Sequence, residues 1–153
     1  MAKIQRVEGE IELKCEADEF FEVWARKPYL ASKMCPNKHP KIELHEGNWD
    51  SVGSILTWNY VLDDGERSFV RTKIEEVDET NKCVTYNVVD GHVLKTFYNS
   101  FKPKVQAIQK GARCIVKWNF EFEKKNESAP EPTKYLDFLL SSAKDIDHHL
   151  SQA

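Results

Sequence analysis

Pro130-Glu131-Pro132-Thr133-Lys134-Tyr135-Leu136-Asp137-Phe138-Leu139-Leu140-Ser141-Ser142-Ala143-Lys144-Asp145-Ile146-Asp147-His148-His149-Leu150 carries the longest helical period in the chain. Tyr135, Phe138, Leu139, Ala143, Ile146 and Leu150 recur at three-and-four spacing, which gathers them on one face. Pro132 suits the first helical turn, where a missing N–H is no loss. Glu131 and Asp137 lie toward the positive end of the helix dipole, and Lys144, His148 and His149 toward the negative end. The stretch reads as one amphipathic helix, and such a helix needs an apolar surface to cover.

The rest of the chain supplies that surface as strands. Residues 3–14 alternate, with Val7, Gly9, Ile11 and Leu13 on one face and Arg6, Glu8, Glu10 and Glu12 on the other. From Ala17 to Met34 the spacing turns helical through Phe20, Phe21 and Trp24, then Tyr29, Leu30 and Met34; Lys27-Pro28 splits it into two short helices. Strands follow over Lys41 to Glu46, Ser54 to Tyr60, Arg67 to Glu76, Lys82 to Val89, Leu94 to Ile108 and Ala112 to Glu123. Turn chemistry separates them at Asp63-Asp64-Gly65, Asp78 to Asn81, Asp90-Gly91 and Gln109 to Gly111. Seven strands with short connections form an antiparallel sheet, its first strand free to pair with its last, and the C-terminal helix is the only element long enough to cross it. The fold class is α+β, in a single domain over 1–153.

Composition excludes several classes of function. Hydrophobic residues make up 41% and charged residues 31% of 153, and no apolar run approaches the roughly 18 residues of a membrane span. No apolar segment follows the first basic residues, so no secretory signal is read and a cytosolic setting is expected. Cys15, Cys35, Cys83 and Cys114 are too dispersed for a zinc site or a disulfide scaffold. A net charge of −3 lacks the basic footprint of a nucleic-acid binder. Gly47 and Gly53 superficially suggest a phosphate loop, but no lysine or helix follows and Asp50 would repel an anion, so the segment reads as a shaped surface loop.

The inward-facing set is unusually aromatic. Trp24, Trp58, Tyr60, Tyr86, Phe97, Phe101, Trp118, Phe120 and Phe138 all fall on the apolar side by alternation or helical period, with Thr72 and Ser142 among them. The pattern alone leaves two outcomes open: a solid aromatic core, or a cavity whose few hydroxyls orient a ligand.

Glu46-Gly47-Asn48-Trp49, Gly53-Ser54-Ile55 and Trp58-Asn59-Tyr60, together with Phe120-Glu121-Phe122-Glu123-Lys124, Lys134-Tyr135-Leu136-Asp137-Phe138 and Lys144-Asp145-Ile146-Asp147-His148-His149-Leu150, resemble the plant major latex proteins. These are a branch of the birch-pollen-allergen superfamily, with the class-ten pathogenesis-related proteins as siblings. The resemblance covers essentially the whole chain. It implies a helix-grip fold: a seven-stranded curved antiparallel sheet around the long helix, two short supporting helices, and an internal hydrophobic cavity for lipids, sterols, hormones or other apolar metabolites in a defence or stress setting. It places the cavity wall on Trp24, Leu30, Leu56, Trp58, Tyr60, Val70, Thr72, Tyr86, Val88, Phe97, Phe101, Val105, Trp118, Phe120, Phe138, Leu139, Ser142 and Ile146. The loop departs from the sibling pattern at Trp49-Asp50-Ser51-Val52, which puts any ribonuclease activity of the siblings in doubt here.

The leading expectation is a binding protein that carries or buffers a small hydrophobic ligand without cofactor or metal. The alternative is a cofactor-free cyclase or isomerase acting on a labile terpenoid or alkaloid intermediate. Its proton-transfer candidates are Tyr60, Tyr86, His92 beside the Asp90-Gly91 turn, and His149 on the inner edge of the final helix. A third reading, partner docking through the loops at Gly47 to Ser54 and Asp90 to His92, rests on an exposed Trp49.

Overall fold

Alternation becomes a ladder in the computed structural model, which describes residues 3–152; Met1, Ala2 and Ala153, the ends of the expected domain, lie outside the described residues. Strands β1 (Ile4–Leu13), β2 (Lys41–Glu46), β3 (Ile55–Val61), β4 (Arg67–Asp78), β5 (Cys83–Gly91), β6 (Tyr98–Lys110) and β7 (Arg113–Lys124) form one antiparallel sheet in the order β1-β7-β6-β5-β4-β3-β2. The first strand pairs with the last, in a register that sets Val7 against Phe120, Gly9 against Trp118 and Ile11 against Val116. Helix α1 (Ala17–Phe21) continues as a π-helical turn over Glu22–Arg26, and α2 (Tyr29–Met34) follows the break at Lys27-Pro28. The wider π turn lets three consecutive residues, Val23, Trp24 and Ala25, all be buried.

The long helix, α4 (Thr133–Ser151), packs mainly on β1 and β7 and also meets α1 and α2. Its nineteen residues span about 28 Å at 1.5 Å per residue. Gly9 marks where it sits closest: a Cβ there would lie 3.1 Å from Leu140 Cδ1 and 3.2 Å from Leu136 Cδ2. The helix is held at its other end by Asp147, which is buried and accepts the backbone N–H of Lys14 at 3.0 Å and of Cys15 at 2.9 Å. Leu136 and Asp147 therefore join the expected inward set. A helix wedged between β1 and the short helices buries more than one stripe.

One strand begins later than its pattern suggests. Leu94 to Phe97 do not open β6; Gly91 turns the chain with φ of 127°, at a point where a Cβ would come 2.4 Å from Phe69 O, and the single-turn helix α3 (His92–Thr96) follows. A bulge between Tyr98 and Ser100 then shifts the ladder by one residue. Counted back from Phe101, strict alternation sends Phe97 inward; the bulge buries Tyr98 instead and leaves Phe97 half-buried against His92 and Tyr98. The Tyr98 hydroxyl donates to Pro130 O at 2.7 Å, which ties β6 to the approach to α4.

The sheet is also weakly joined at its centre. β5 and β6 pair only through Cys83↔Gln106, Val84↔Val105 and Thr85↔Lys104. The ladder stops beside Pro103, whose ring removes the N–H that the next rung would use. Beyond it the two strands separate and α3 packs across β4, β5 and β6. Among the described residues no helix is long and apolar enough to cross a membrane.

Asp147 offers a direct check of how α4 is fixed. Asp147→Ala leaves two backbone donors without their charged acceptor and is expected to cost about 2–4 kcal/mol in urea unfolding. Asp145→Ala, which removes a half-exposed partner of Lys38, is expected to cost under about 1 kcal/mol.

Candidate functional site

Between α4 and the diverging strands lies a cavity of about 90 Å³. Its wall comes from every layer of the fold: Trp24 from the π turn; Trp58, Tyr60, Val70, Thr72, Tyr86 and Val88 from β3 to β5; Val93 from α3; Phe101, Pro103, Trp118 and Phe120 from β6 and β7; Tyr135, Phe138 and Leu139 from α4; and His39 from the approach to β2. The rings touch in series. Trp24 stacks on Trp58 at 5.3 Å and meets Trp118 edge-on at 5.5 Å, Trp58 meets Tyr86 at 5.8 Å, and Phe101 lies 5.0 Å from Phe120. Aromatic side chains are stiff, so rings projecting from a splayed sheet fill its hollow incompletely.

The apolar packing is in two parts. The larger cluster runs from Leu13 and Phe20 through the tryptophans to Ile146; a smaller one holds Tyr60, Leu62 and Phe138, with Val70, Tyr135 and Leu139 against it. The cavity draws its wall from both. Outside the smaller cluster, Lys134 bridges α4 to Asp64 at 3.7 Å and Glu66 at 3.6 Å on the β3–β4 turn. These pairs are substantially exposed, so each contributes little to stability.

The expected wall is brought together only in part. Trp24, Trp58, Tyr60, Val70, Thr72, Tyr86, Val88, Phe101, Trp118, Phe120, Phe138 and Leu139 line the cavity. Leu56, Val105 and Ile146 are buried in the larger cluster, and Leu30 is half-buried against it. Phe97 is displaced by the bulge, and Ser142 stands one layer behind the wall. Thr72 is already engaged, because Trp58 Nε1 donates to its Oγ1 at 2.9 Å.

The proton-transfer candidates divide the same way. His92 is half-buried beside Thr96, 3.1 Å away, and outside the cavity wall. His149 is exposed in a separate surface groove with Met34, Asp63 and Asp145, a correction to its expected place on the inner edge. Trp49 is half-buried, not exposed, with its ring 5.3 Å from that of Tyr29. Tyr60 and Tyr86 do line the cavity, and burial raises their phenols, as it does Tyr135, so all three stay protonated at neutral pH.

The titratable group that sequence reasoning missed is His39. It is 2% exposed, its Nε2 lies 2.9 Å from Ser142 Oγ, and its ring sits 5.5 Å from Trp24 and 5.1 Å from Phe138. Burial lowers its pKa to about 4, assisted by the charge of Lys38 and opposed by Asp145. The segment Lys38-His39-Pro40 has no periodicity, so nothing in the pattern aims its side chains. Val93 and Pro103 were missed too, because one follows an unforeseen helix and the other sits where the ladder ends. Several wall residues hold buried polar atoms without a partner: Trp24 Nε1, Trp118 Nε1, His39 Nδ1, Tyr60 Oη and Tyr135 Oη. Trp24 Nε1 approaches the Tyr86 hydroxyl, and Tyr60 approaches Ser68, without reaching hydrogen-bond geometry.

Comparison with known proteins agrees with this architecture. The model of the pathogenesis-related protein Bet v 1 family matches residues 2–153. MLP-like protein 31 of Arabidopsis thaliana is 39% identical over 147 residues, covering 95% of this chain and 85% of that protein. MLP-like protein 34 is also 39% identical, but the chain spans only 46% of its length. The crystal structure of ginseng major latex-like protein 151 from Panax ginseng superposes with a TM-score of 0.90 at 36% identity, covering 96% of this chain and 98% of that one. Norcoclaurine synthase from Thalictrum flavum, solved in complex with dopamine and hydroxybenzaldehyde, shares the fold at a TM-score of 0.74 over 99% of this chain and 88% of that one; at 19% identity the likeness is of fold alone. The chain belongs to the pathogenesis-related protein Bet v 1 family, and within it to the major latex protein branch.

Proposed function

We propose that the chain binds a small hydrophobic molecule between α4 and the sheet, as a carrier or buffer of an apolar metabolite. The observation that carries the reading is the apolar cavity itself, bounded by two separate clusters and walled by side chains whose polar atoms lack partners. Pockets for drug-sized ligands hold about 300–1,000 Å³, several times the roughly 90 Å³ here, so binding requires the wall to part. The smaller cluster is the part suited to yield, because it is small: Phe138, with partly buried Tyr135 and Leu139, packs α4 on Tyr60, Leu62 and Val70, and the Lys134 pairs outside it are substantially exposed. At about 25 cal/mol per Å², ~300 Å² of apolar ligand surface supplies roughly 7 kcal/mol before the cost of ordering.

The two faces of α4 make the test. An environment-sensitive apolar dye is expected to bind saturably to the wild-type protein. Phe138→Trp or Leu139→Trp, which fill the space, are expected to weaken binding at least about tenfold, while Asp137→Asn and Lys144→Gln on the outer face change it less than about twofold. Dye binding that is absent, or equally sensitive to both faces, overturns the proposal.

The same wall predicts a pH dependence of stability. His39 titrates near 4 when folded and near 6.5 when unfolded, so between those values the unfolded chain holds a proton that the folded chain refuses. Its contribution is whole above about pH 6.5 and is lost as pH falls toward 4. His39→Phe is therefore expected to lose about 3 kcal/mol less than wild type between pH 7 and pH 4, measured by urea midpoints at each pH. Parallel acid profiles contradict it.

A further inference from the structure

Cys15, Cys35, Cys83 and Cys114 are all free thiols, dispersed along the chain, and the fold brings two of them together under α4. Leu13, the last residue of β1, stands opposite Cys114 of β7. The chain then bends over Lys14 and Cys15, and the Ala17 N–H bonds Gln109 Oε1 at 2.8 Å. Gln109 is the residue of β6 that faces Cys114 from the other side. The segment from 13 to 17 thus passes from one ladder neighbour of Cys114 to the other, with Cys15 midway. Both side chains are buried, and their thiols lie within hydrogen-bond reach of each other. The other two cysteines are placed differently: Cys35 Sγ donates to Ala31 O of α2 at 3.1 Å, and Cys83 opens β5 opposite Asp78 and Gln106.

The pair adjoins the residue that anchors the long helix. Asp147 accepts the N–H of Cys15 at 2.9 Å and that of Lys14 at 3.0 Å, so the turn that carries one thiol also holds α4. Within the pair Cys15 keeps its proton, because the contact with Cys114 and burial both raise it. The same S–H lowers Cys114, against burial and the charges of Asp147 and Glu19, which makes Cys114 the sulfur that ionises first. Neither cysteine lines the cavity, so what the pair does is independent of ligand binding.

We propose that Cys15 and Cys114 are a redox modification site, which hydrogen peroxide converts to a reversible disulfide that pins the β1–α1 turn to β7 beneath α4. Cys114 Sγ attacks one peroxide oxygen, the O–O bond breaks, and a sulfenic acid and one water result. Cys15 Sγ then attacks the sulfenic sulfur, the S–O bond breaks, and the oxygen departs as a second water with the Cys15 proton. The two thiols together lose two electrons, and the peroxide is reduced to two waters. The oxidant must be small and uncharged, because Cys15 keeps only 7% of its surface exposed and Cys114 none. Closing the contact to a bond of about 2 Å needs a backbone shift, and the bend at Lys14-Cys15 lies beyond the last rung of the β1–β7 ladder, where the chain can supply it.

The test reduces the whole chain, treats it with hydrogen peroxide in native buffer, alkylates it in urea and maps the thiols by mass spectrometry. A linked pair of peptides holding Cys15 and Cys114 is expected, two hydrogens lighter than the reduced pair and separated again by dithiothreitol, with Cys35 and Cys83 alkylated. The oxidised protein is expected to unfold at a urea concentration at least about 1 M higher than the reduced protein, because the bond closes a long loop of the unfolded chain. In Cys15→Ser the Cys114 peptide is expected to gain oxygen, and in Cys114→Ser the Cys15 peptide is expected to gain none. Linkage of any other pair, linkage only after denaturation, or thiols that all stay free overturns the proposal. The wild-type map decides this even where the serine variants fail to fold. Oxygen gained at Cys15 overturns the assignment of Cys114 as the attacking sulfur, and an unmoved urea midpoint overturns the pinning of the turn.

Discussion

The contact of α4 with the sheet at Gly9 governs the rest of the molecule. A single helix laid on a seven-stranded sheet meets it along one line, and Gly9 is where the sheet yields so that Leu136 and Leu140 can come close. Asp147 fixes the same helix to the turn after β1. Both anchors lie on or just after β1, so the far side, over β3 to β5, is reached only by side chains. Aromatic residues are the ones long enough to reach, and they are too rigid to close the gap completely.

That geometry gives His39 and Ser142 a meaning beyond packing. Ser142 sits inside a helix, where a serine hydroxyl commonly bonds back to the carbonyl four residues earlier, as it does here to Phe138. By doing so it presents its oxygen to His39 and fixes which ring nitrogen carries the proton. A small polar residue on α4 thereby sets the hydrogen-bonding character of a side chain from a different part of the chain.

Much of this was legible in the sequence. The period of Tyr135 to Leu150 and the alternation of Cys114 to Phe122 place α4 and β7 and fix which faces meet, because burial on one side enforces a strict repeat. The illegible parts are those where the repeat breaks. The bulge at Tyr98 exchanges it for Phe97, α3 follows the glycine at 91 without a pattern of its own, and Lys38-His39-Pro40 is too short for any period. Asp147 was hidden for another reason: a carboxylate on a helix reads as a wet face until the backbone donors it serves are seen. The site was accordingly clearest in its apolar wall and least legible at His39.

The short junction between β5 and β6 has a consequence for how much a wall of this kind can hold. Three rungs join the leaf formed by β1, β7 and β6 to the leaf formed by β5, β4, β3 and β2. The joint between the two leaves is narrow, and α4 spans it, held to one leaf at Gly9 and Asp147 and to the other through Phe138 and Lys134. The angle between the leaves, and not any one side chain, sets the width of the space that the aromatic wall leaves open.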